Sequence, residues 1–206
     1  ALCYVTSAAF DYAHKAADAD RRTAAMQRAE LLTPLSKAWS TEISQEVTSI
    51  GVQVHGGMGY IEETGAAQLM RDARITTIYE GTTGIQANDL IGRKVIRDRG
   101  KGMTSLLADV DATLAELRAT LPTMAEQLSA ASNELREVTD FILTHHEDDP
   151  FLASTVSFHY LMGTGTVIAG WQMARAALIA KAQRDDDVAF YDAKLATAIF
   201  YMEQIL

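Results

Sequence analysis

A single cysteine, Cys3, leaves no partner for an internal disulfide, so the fold cannot rest on oxidation and a reducing, cytoplasmic setting is the expectation. Prolines number three and aromatics make up 7% of residues, while Ala, Leu, Glu, Arg, Gln and Met are plentiful. Helix breakers and strand formers are therefore both scarce, and helix is favoured. Basic charge is also in deficit. A formal net charge of -9 offers no footprint for a nucleic-acid duplex or an anionic membrane surface. No uninterrupted apolar run reaches the ~20 residues of a membrane span. The nearest, residues 161–180, carries Gln172 and Arg175 among many Gly and Ala, which fits a buried helix. No basic-then-apolar leader precedes the first helix. The chain starts without Met and stops at Gln204-Ile205-Leu206 inside an apolar helical pattern, so it reads as a piece of something longer.

Of the 206 residues, 48% are hydrophobic, enough for a sizeable core in one domain or two small ones. Residues 1 to about 31 read as one long Ala-rich helix. Thr33-Pro34 then offers an N-cap and a first-turn proline. Leu35, Trp39, Ile43, Val47, Ile50 and Val54 follow at spacings of three and four, as one core-facing stripe. That helix should stop at His55-Gly56-Gly57, where glycine can take the left-handed conformation. Gly57-Met58-Gly59-Tyr60 is expected as a turn, with a short helix from about Thr64 to Ala73 after it. Thr82 or Thr83 should cap a helix running to about Arg97.

The charged, glycine-punctuated stretch from Arg97 to Gly102 divides the chain, giving expected units of 1–98 and 99–206. In the second, Leu106, Val110, Leu114, Leu117 and Leu121 form one stripe and Met124, Leu128, Ala131, Leu135, Val138 and Ile142 another. With Pro122 between them, they predict a helical hairpin. Helices of about Phe151–Lys181 and Val188–Leu206 complete an all-α helical bundle, and no segment alternates as a strand.

Two glycine-bearing turns could carry chemistry. In the first, Gln53, Val54, His55, Gly56 and Gly57 could let backbone N–H groups approach an anion, although a plain helix stop explains the same glycines. In the second, Tyr79-Glu80-Gly81-Thr82 sets a carboxylate at a helix start, where N–H groups and the dipole attract negative charge. An acid there is commonly only a helix stabiliser, and a general base would need a pKa shifted by burial or neighbours. His145 and His146 beside Glu147, Asp148 and Asp149 suggest a metal at first sight. Adjacent residues in a polar loop rarely converge, so no metal site is expected. Gly163, Val167, Gly170, Ala174 and Ala177 make a small-residue stripe suited to close helix packing.

Taken together, residues 51–94, GVQVHGGMGYIEETGAAQLMRDARITTIYEGTTGIQANDLIGRK, closely resemble the C-terminal signature of the acyl-CoA dehydrogenase family. The resemblance is carried by Gln53 two residues before His55-Gly56-Gly57, the Gly59-Tyr60 turn, Met70-Arg71-Asp72-Ala73, Ile78-Tyr79-Glu80-Gly81-Thr82 and Ile85-Gln86. It implies that Glu80 is the base that removes a proton α to an acyl-CoA thioester while the β-hydrogen leaves as hydride to FAD, giving a trans-2-enoyl-CoA. It implies further that Glu80 N–H helps stabilise the enolate oxygen. Gly81 would let the thioester lie against the backbone, Tyr79 would border the acyl chain or flavin, and Thr82 would touch FAD. Gln53, Val54, His55, Gly56 and Gly57 would wrap the pyrophosphate or adenine end of FAD, typically across a subunit interface. Arg71 and Asp72 would be a structural pair.

Two positions depart from the family pattern: Gly84 stands where Gln is frequent, which puts an adenine-side contact in doubt, and His55 replaces an aromatic or aliphatic residue. The wording around residues 63–68 and 82–94 resembles the subgroup handling short or unusual acyl chains, methylthiopropionyl-CoA dehydrogenases among them. The family's N-terminal helical and middle β domains are missing from this chain, so by itself it should bind FAD poorly and not turn over. An electron-transfer flavoprotein as acceptor and a homodimer or homotetramer are also implied. An acyl-CoA oxidase and a helical interaction module that kept the fold without the catalysis are the alternatives.

Overall fold

The computed structural model describes residues 1–206, and no strand occurs anywhere in them. Two helices open the chain, α1 (Leu2–Lys15) and α2 (Ala19–Pro34), where one long helix was expected. The break is made by Ala16, which is extended, and by Asp18, whose carboxylate accepts from the Arg21 N–H at 2.7 Å and caps α2. Arg22 Nη1 donates to the carbonyls of Ala16 and Ala17, which satisfies the orphaned end of α1. An alanine-rich pattern hides this stop because Asp18 acts through a local side-chain bond and not through periodicity.

Thr33-Pro34 does not start a helix. The Thr33 hydroxyl turns back to the Ala29 carbonyl at 2.8 Å, and the helix continues through Pro34 by widening into a π-helical segment, Leu35–Trp39. A wider turn absorbs the missing proline N–H without a break. Helix α3 (Ser40–Val54) follows directly, then a single turn of helix, α4 (Gly57–Tyr60), where only a turn was expected. Helix α5 (Ala66–Arg74) is capped by Gly65 in the left-handed conformation, and α6 (Thr83–Asn88) passes into a second π-helical segment, Asp89–Ile96.

The anticipated stripe of α3 is only half right. Leu35 is fully buried, but Val47, Ile50 and Val54 are 59%, 52% and 78% exposed. Their spacing is helical, yet no element of this chain covers them.

Past Gly100, which closes the preceding segment at φ +73, come α7 (Lys101–Thr120), α8 (Pro122–His145), α9 (Leu152–Ala182) and α10 (Val188–Gln204). Pro122 sits in the first turn of α8, where its missing N–H costs nothing, and α7 and α8 pack as a hairpin. Asp187 caps α10 through the Phe190 N–H at 3.0 Å. At 31 residues α9 is a spine roughly 46 Å long. It packs against α6, α7, α8, α10 and both π-helical segments, and is buried on nearly every face between Leu161 and Ala180. Arg175 donates to Gln172 Oε1 at 2.9 Å and lies over the Trp171 ring, while Gln172 Nε2 is buried without a partner. No helix is long and apolar enough to cross a membrane.

One apolar cluster of 30 buried residues crosses residue 100, joining Leu31, Leu35, Leu90 and Val95 to Met103, Leu106, Leu161 and Ile168. In the small-residue stripe of α9, Gly170 packs closely as expected, but Gly163 does not, and Gly165, outside the stripe, does. A Cβ on Gly165 would stand 2.3 Å from Trp39 Cδ1, and one on Gly170 3.2 Å from Leu206 Cδ1, whereas Gly163 faces open space. Gly165 thus seats the Trp39 indole, whose Nε1 donates to Thr166 Oγ1 at 3.2 Å. In this way α9 grips the π-helical segment that lies beside the second glycine turn.

Candidate active site

Helix α5 ends in a tight turn, Ile75–Thr77, from which Ile78 and Tyr79 donate their N–H groups back to the Ile75 carbonyl at 3.0 and 3.2 Å. The chain then reverses. Glu80 adopts φ +54 and Gly81 φ +91, and Arg99 is the one other non-glycine residue with positive φ. A left-handed glutamate costs roughly 1–2 kcal/mol, and such strain persists where surrounding contacts fix it.

Those contacts come from three side chains. Lys37, half-buried on the first π-helical segment, donates through Nζ to the Gly81 carbonyl at 2.5 Å. Gln86 Nε2 reaches the Glu80 carbonyl at 3.5 Å. The buried Thr83 hydroxyl donates to Glu42 Oε1 of α3 at 2.5 Å. Thr82 is the N-cap of α6, its Oγ1 accepting from Ile85 N–H at 3.4 Å.

With both turn carbonyls held from inside, the opposite side of the backbone is left available. The N–H groups of Glu80, Gly81, Thr82, Thr83 and Gly84 donate to no acceptor in the chain. Five successive free donors at a helix start form a surface suited to a developing negative charge. The Glu80 side chain is exposed and stands outside the core, among exposed Ile75, Ile78, Tyr79 and Ile85. An apolar surface around one carboxylate and several free donors resembles half of a cleft, not a solvated face.

Gln53, Val54, His55, Gly56 and Gly57 are all exposed. Gly56 takes φ +61 and ψ -146, a conformation open essentially to glycine alone, and neither Gly56 nor Gly57 has anything within 4 Å of a Cβ position. His55 Nδ1 donates to Gly51 O at 2.8 Å, so its ring lies along α3. Gly84 likewise faces open space. Along the chain the two glycine turns flank α4 and α5, the latter a helix of nine residues. Arg71 pairs with Glu62 at 2.7 Å and not with Asp72, because the chain folds back over Glu62–Thr64 before α5 begins.

No expected site residue lines a deep cavity. One cavity of about 510 Å³ lies between α8 and α9 and is lined by Leu135, Val138, His159, Tyr160 and Thr164 among others. The chemistry of the Glu80 turn outweighs cavity size here, since an exposed half-cleft has no volume of its own. His145 and His146 each donate Nδ1 to a backbone carbonyl of α8, and no three His, Cys, Asp or Glu side chains converge.

Lys37, Glu42 and Gln86 are the site residues that sequence reasoning missed. Gln86 sits one turn into the helix that Glu80 precedes, which is a readable signal. Lys37 and Glu42 lie some forty residues upstream, and nothing in their local pattern points at the turn.

Comparison with known proteins now bears on this geometry. A family model described as "Acyl-CoA dehydrogenase, C-terminal domain" matches residues 5–96, and one described as "Acetyl-CoA dehydrogenase C-terminal like" matches residues 106–206. The chain belongs to the acyl-CoA dehydrogenase family. Among its relatives is a 3-methylmercaptopropionyl-CoA dehydrogenase of Ruegeria pomeroyi, 43% identical over all of this chain and 36% of the relative. The broad-specificity linear acyl-CoA dehydrogenase FadE5 of Mycobacterium tuberculosis is 30% identical over 86% of this chain and 31% of its own length. The caffeyl-CoA reductase-Etf complex subunit CarC of Acetobacterium woodii is 44% identical over 25% of this chain and 14% of its own. The chain thus spans about a third of the length of the first two dehydrogenases. Both glycine turns fall inside the acyl-CoA dehydrogenase C-terminal match, and α8, α9 and α10 inside the second.

Proposed function

We propose that this chain is the C-terminal part of a cytoplasmic, FAD-dependent acyl-CoA dehydrogenase and carries its catalytic base, Glu80. The observation that supports this most is the backbone at Glu80: a left-handed glutamate beside free N–H groups, on an apolar half-cleft. A carbon α to a thioester is a very weak acid. A carboxylate can deprotonate it only when it is desolvated and when hydrogen bonds await the enolate oxygen. Glu80 supplies the first group and its own N–H the second, while Gly81 lets the thioester lie close to the backbone. The α-proton goes to the Glu80 carboxylate, and the β-hydrogen leaves with its electron pair. FAD, when bound, accepts that hydride, so a saturated acyl-CoA becomes a trans-2-enoyl-CoA with electrons balanced.

The residues present fit part of that cofactor. Thr82 and Gly84 at the start of α6 offer donors and open space on one side, and Gln53, Val54, His55, Gly56 and Gly57 offer an unobstructed glycine backbone on the other. The resemblance to the family implies that the first turn serves the FAD of a second copy across a subunit interface, which fits a homodimer or homotetramer. The exposed Val47, Ile50, Val54 and Tyr79 are then covered by the rest of the protein, by acyl chain or by a second copy. An electron-transfer flavoprotein is the fitting acceptor for the reduced flavin, as one relative, CarC, is a subunit of a caffeyl-CoA reductase-Etf complex. Residues 1–98 carry the site, and residues 99–206 brace it through α9.

The test is Glu80→Gln in the complete flavoprotein. Dehydrogenation should fall at least a thousandfold with FAD content unchanged. Retained activity would make another residue the base, and hydrogen peroxide production by the unaltered protein would mark an oxidase.

A further inference from the structure

The reaction proposed above uses Glu80 and its N–H but does not explain why the turn holds a strained glutamate in one orientation. We propose that Lys37 and Glu42 are positioning residues that clamp the Glu80-Gly81-Thr82 turn from its inner side, aiming the Glu80 N–H at the substrate's thioester oxygen. This rests on the reading of Glu80 as the base.

Three observations carry it. Lys37 forms no ion pair and is half-buried, so its ammonium is neither a solvated surface charge nor part of a charge network. Its Nζ instead ends on the carbonyl of Gly81, the glycine at φ +91. Ordering a long flexible side chain is entropically costly, and a backbone carbonyl held by an ammonium is a strong, directional contact. The Gly81–Thr82 peptide is thereby fixed with its oxygen inward, and because Gln86 holds the Glu80 carbonyl as well, the preceding Tyr79–Glu80 peptide that carries the Glu80 N–H is left little room to turn.

Glu42 acts one step further along. It accepts from the Thr83 hydroxyl, so the first residue of α6 is tied to α3 in the same way that Gly81 is tied to the π-helical segment. These two ties leave the chain little freedom at residues 81–83, and Glu80 is joined directly to the fixed Gly81. The third observation is that the platform is itself anchored. Trp39, two residues after Lys37, is seated against Gly165 of α9 and donates to Thr166. A displacement of the turn by even an ångström would misdirect the donor, and misplacement of that size can cost about a hundredfold in rate.

The experiment compares the complete flavoprotein with its Lys37→Met variant, an uncharged side chain of similar length. A 3-ketoacyl-CoA is the probe, because its acidic α-carbon ionises when donors hold the enolate oxygen, without any need for a base in the rate-limiting step. The pKa of the bound probe, read from enolate absorbance, should rise by about one unit or more in Lys37→Met, equivalent to tenfold weaker enolate stabilisation. Turnover of a saturated acyl-CoA should fall about tenfold to a hundredfold with KM little changed. A merely structural lysine would alter melting temperature and leave the probe's pKa alone, and that result would overturn the clamp. Failure of the unaltered protein to ionise the probe would overturn the reading of the Glu80 turn first. Should Lys37→Met not retain FAD, Thr83→Val answers from the other tie: a raised probe pKa supports the clamp and an unchanged one refutes it.

Discussion

Two glycines two residues apart in α9 should respond to the same substitution with opposite sign. Gly163 is exposed, and a Cβ there meets nothing within 4 Å. Gly163→Ala therefore gains only helix propensity and reduced unfolded-chain entropy, about 0.5–1 kcal/mol. Gly165→Ala receives the same gain but puts a Cβ 2.3 Å from Trp39 Cγ and 2.7 Å from Trp39 Cβ. The Trp39 Cβ belongs to the stem of the side chain and cannot swing away, so either the indole or α9 must shift. Overpacking of this severity costs roughly 3 kcal/mol, and set against the propensity gain it leaves a net loss of about 2 kcal/mol. For a chain of this size each kcal/mol moves Tm by about 2–4 °C. Thermal unfolding followed by circular dichroism should show Gly163→Ala melting about 1–4 °C higher and Gly165→Ala about 4–8 °C lower. Combining Gly165→Ala with Trp39→Ala should cost less than the sum of the two single changes by at least about 1 kcal/mol, because the clash disappears with the indole. A Gly165→Ala protein as stable as Gly163→Ala would refute the seating of Trp39 and the bracing of the site by α9.

Two further expectations concern the core and the turn. Burial, partly offset by the 2.8 Å hydrogen bond to Thr139, pushes the Tyr160 phenol up to about 12. A pKa raised on folding means that the folded state keeps its proton longer, so this contribution to stability is complete below pH ~10 and is lost as pH rises toward 12. Urea unfolding across that range should show a loss that Tyr160→Phe reduces, the Tyr201 phenol, also raised by burial, carrying part of the remainder, and equal alkaline loss in both proteins would disprove the assignment. At the turn, Gly81→Ala imposes a side chain at φ +91 and should destabilise the chain by about 1–3 kcal/mol. Its Cβ would also come within 2.9 Å of Gln86 Nε2, but that is the far end of a flexible side chain whose 3.5 Å bond to the Glu80 carbonyl is long enough to give way. Adding Gln86→Ala should therefore recover little stability in a denaturant titration, and full recovery would show that crowding, not backbone strain, makes glycine necessary.

What could be read from the chain alone was whatever is settled within a few residues. The stripes of α7 and α8 and the proline between them are local signals, and those helices stand where their patterns place them. The same holds for Thr82 as the start of α6 and for the glycines that end α3. Where two local signals competed, the pattern misled. Asp18 stops a helix that alanine would continue, and Pro34 fails to start one because a widened turn can carry a helix past it. Tertiary structure alone decided which faces are covered and which side chains meet. Val47, Ile50 and Val54 have the spacing of a core face yet lie bare, since burial depends on what packs opposite and periodicity only names the side. Lys37 and Glu42 reach the Glu80 turn across about forty residues of chain because the π-helical segment Leu35–Trp39, which runs on into α3, packs against both α6 and α9. Such a meeting arises from the packing of distant surfaces, and no spacing rule in one dimension encodes it.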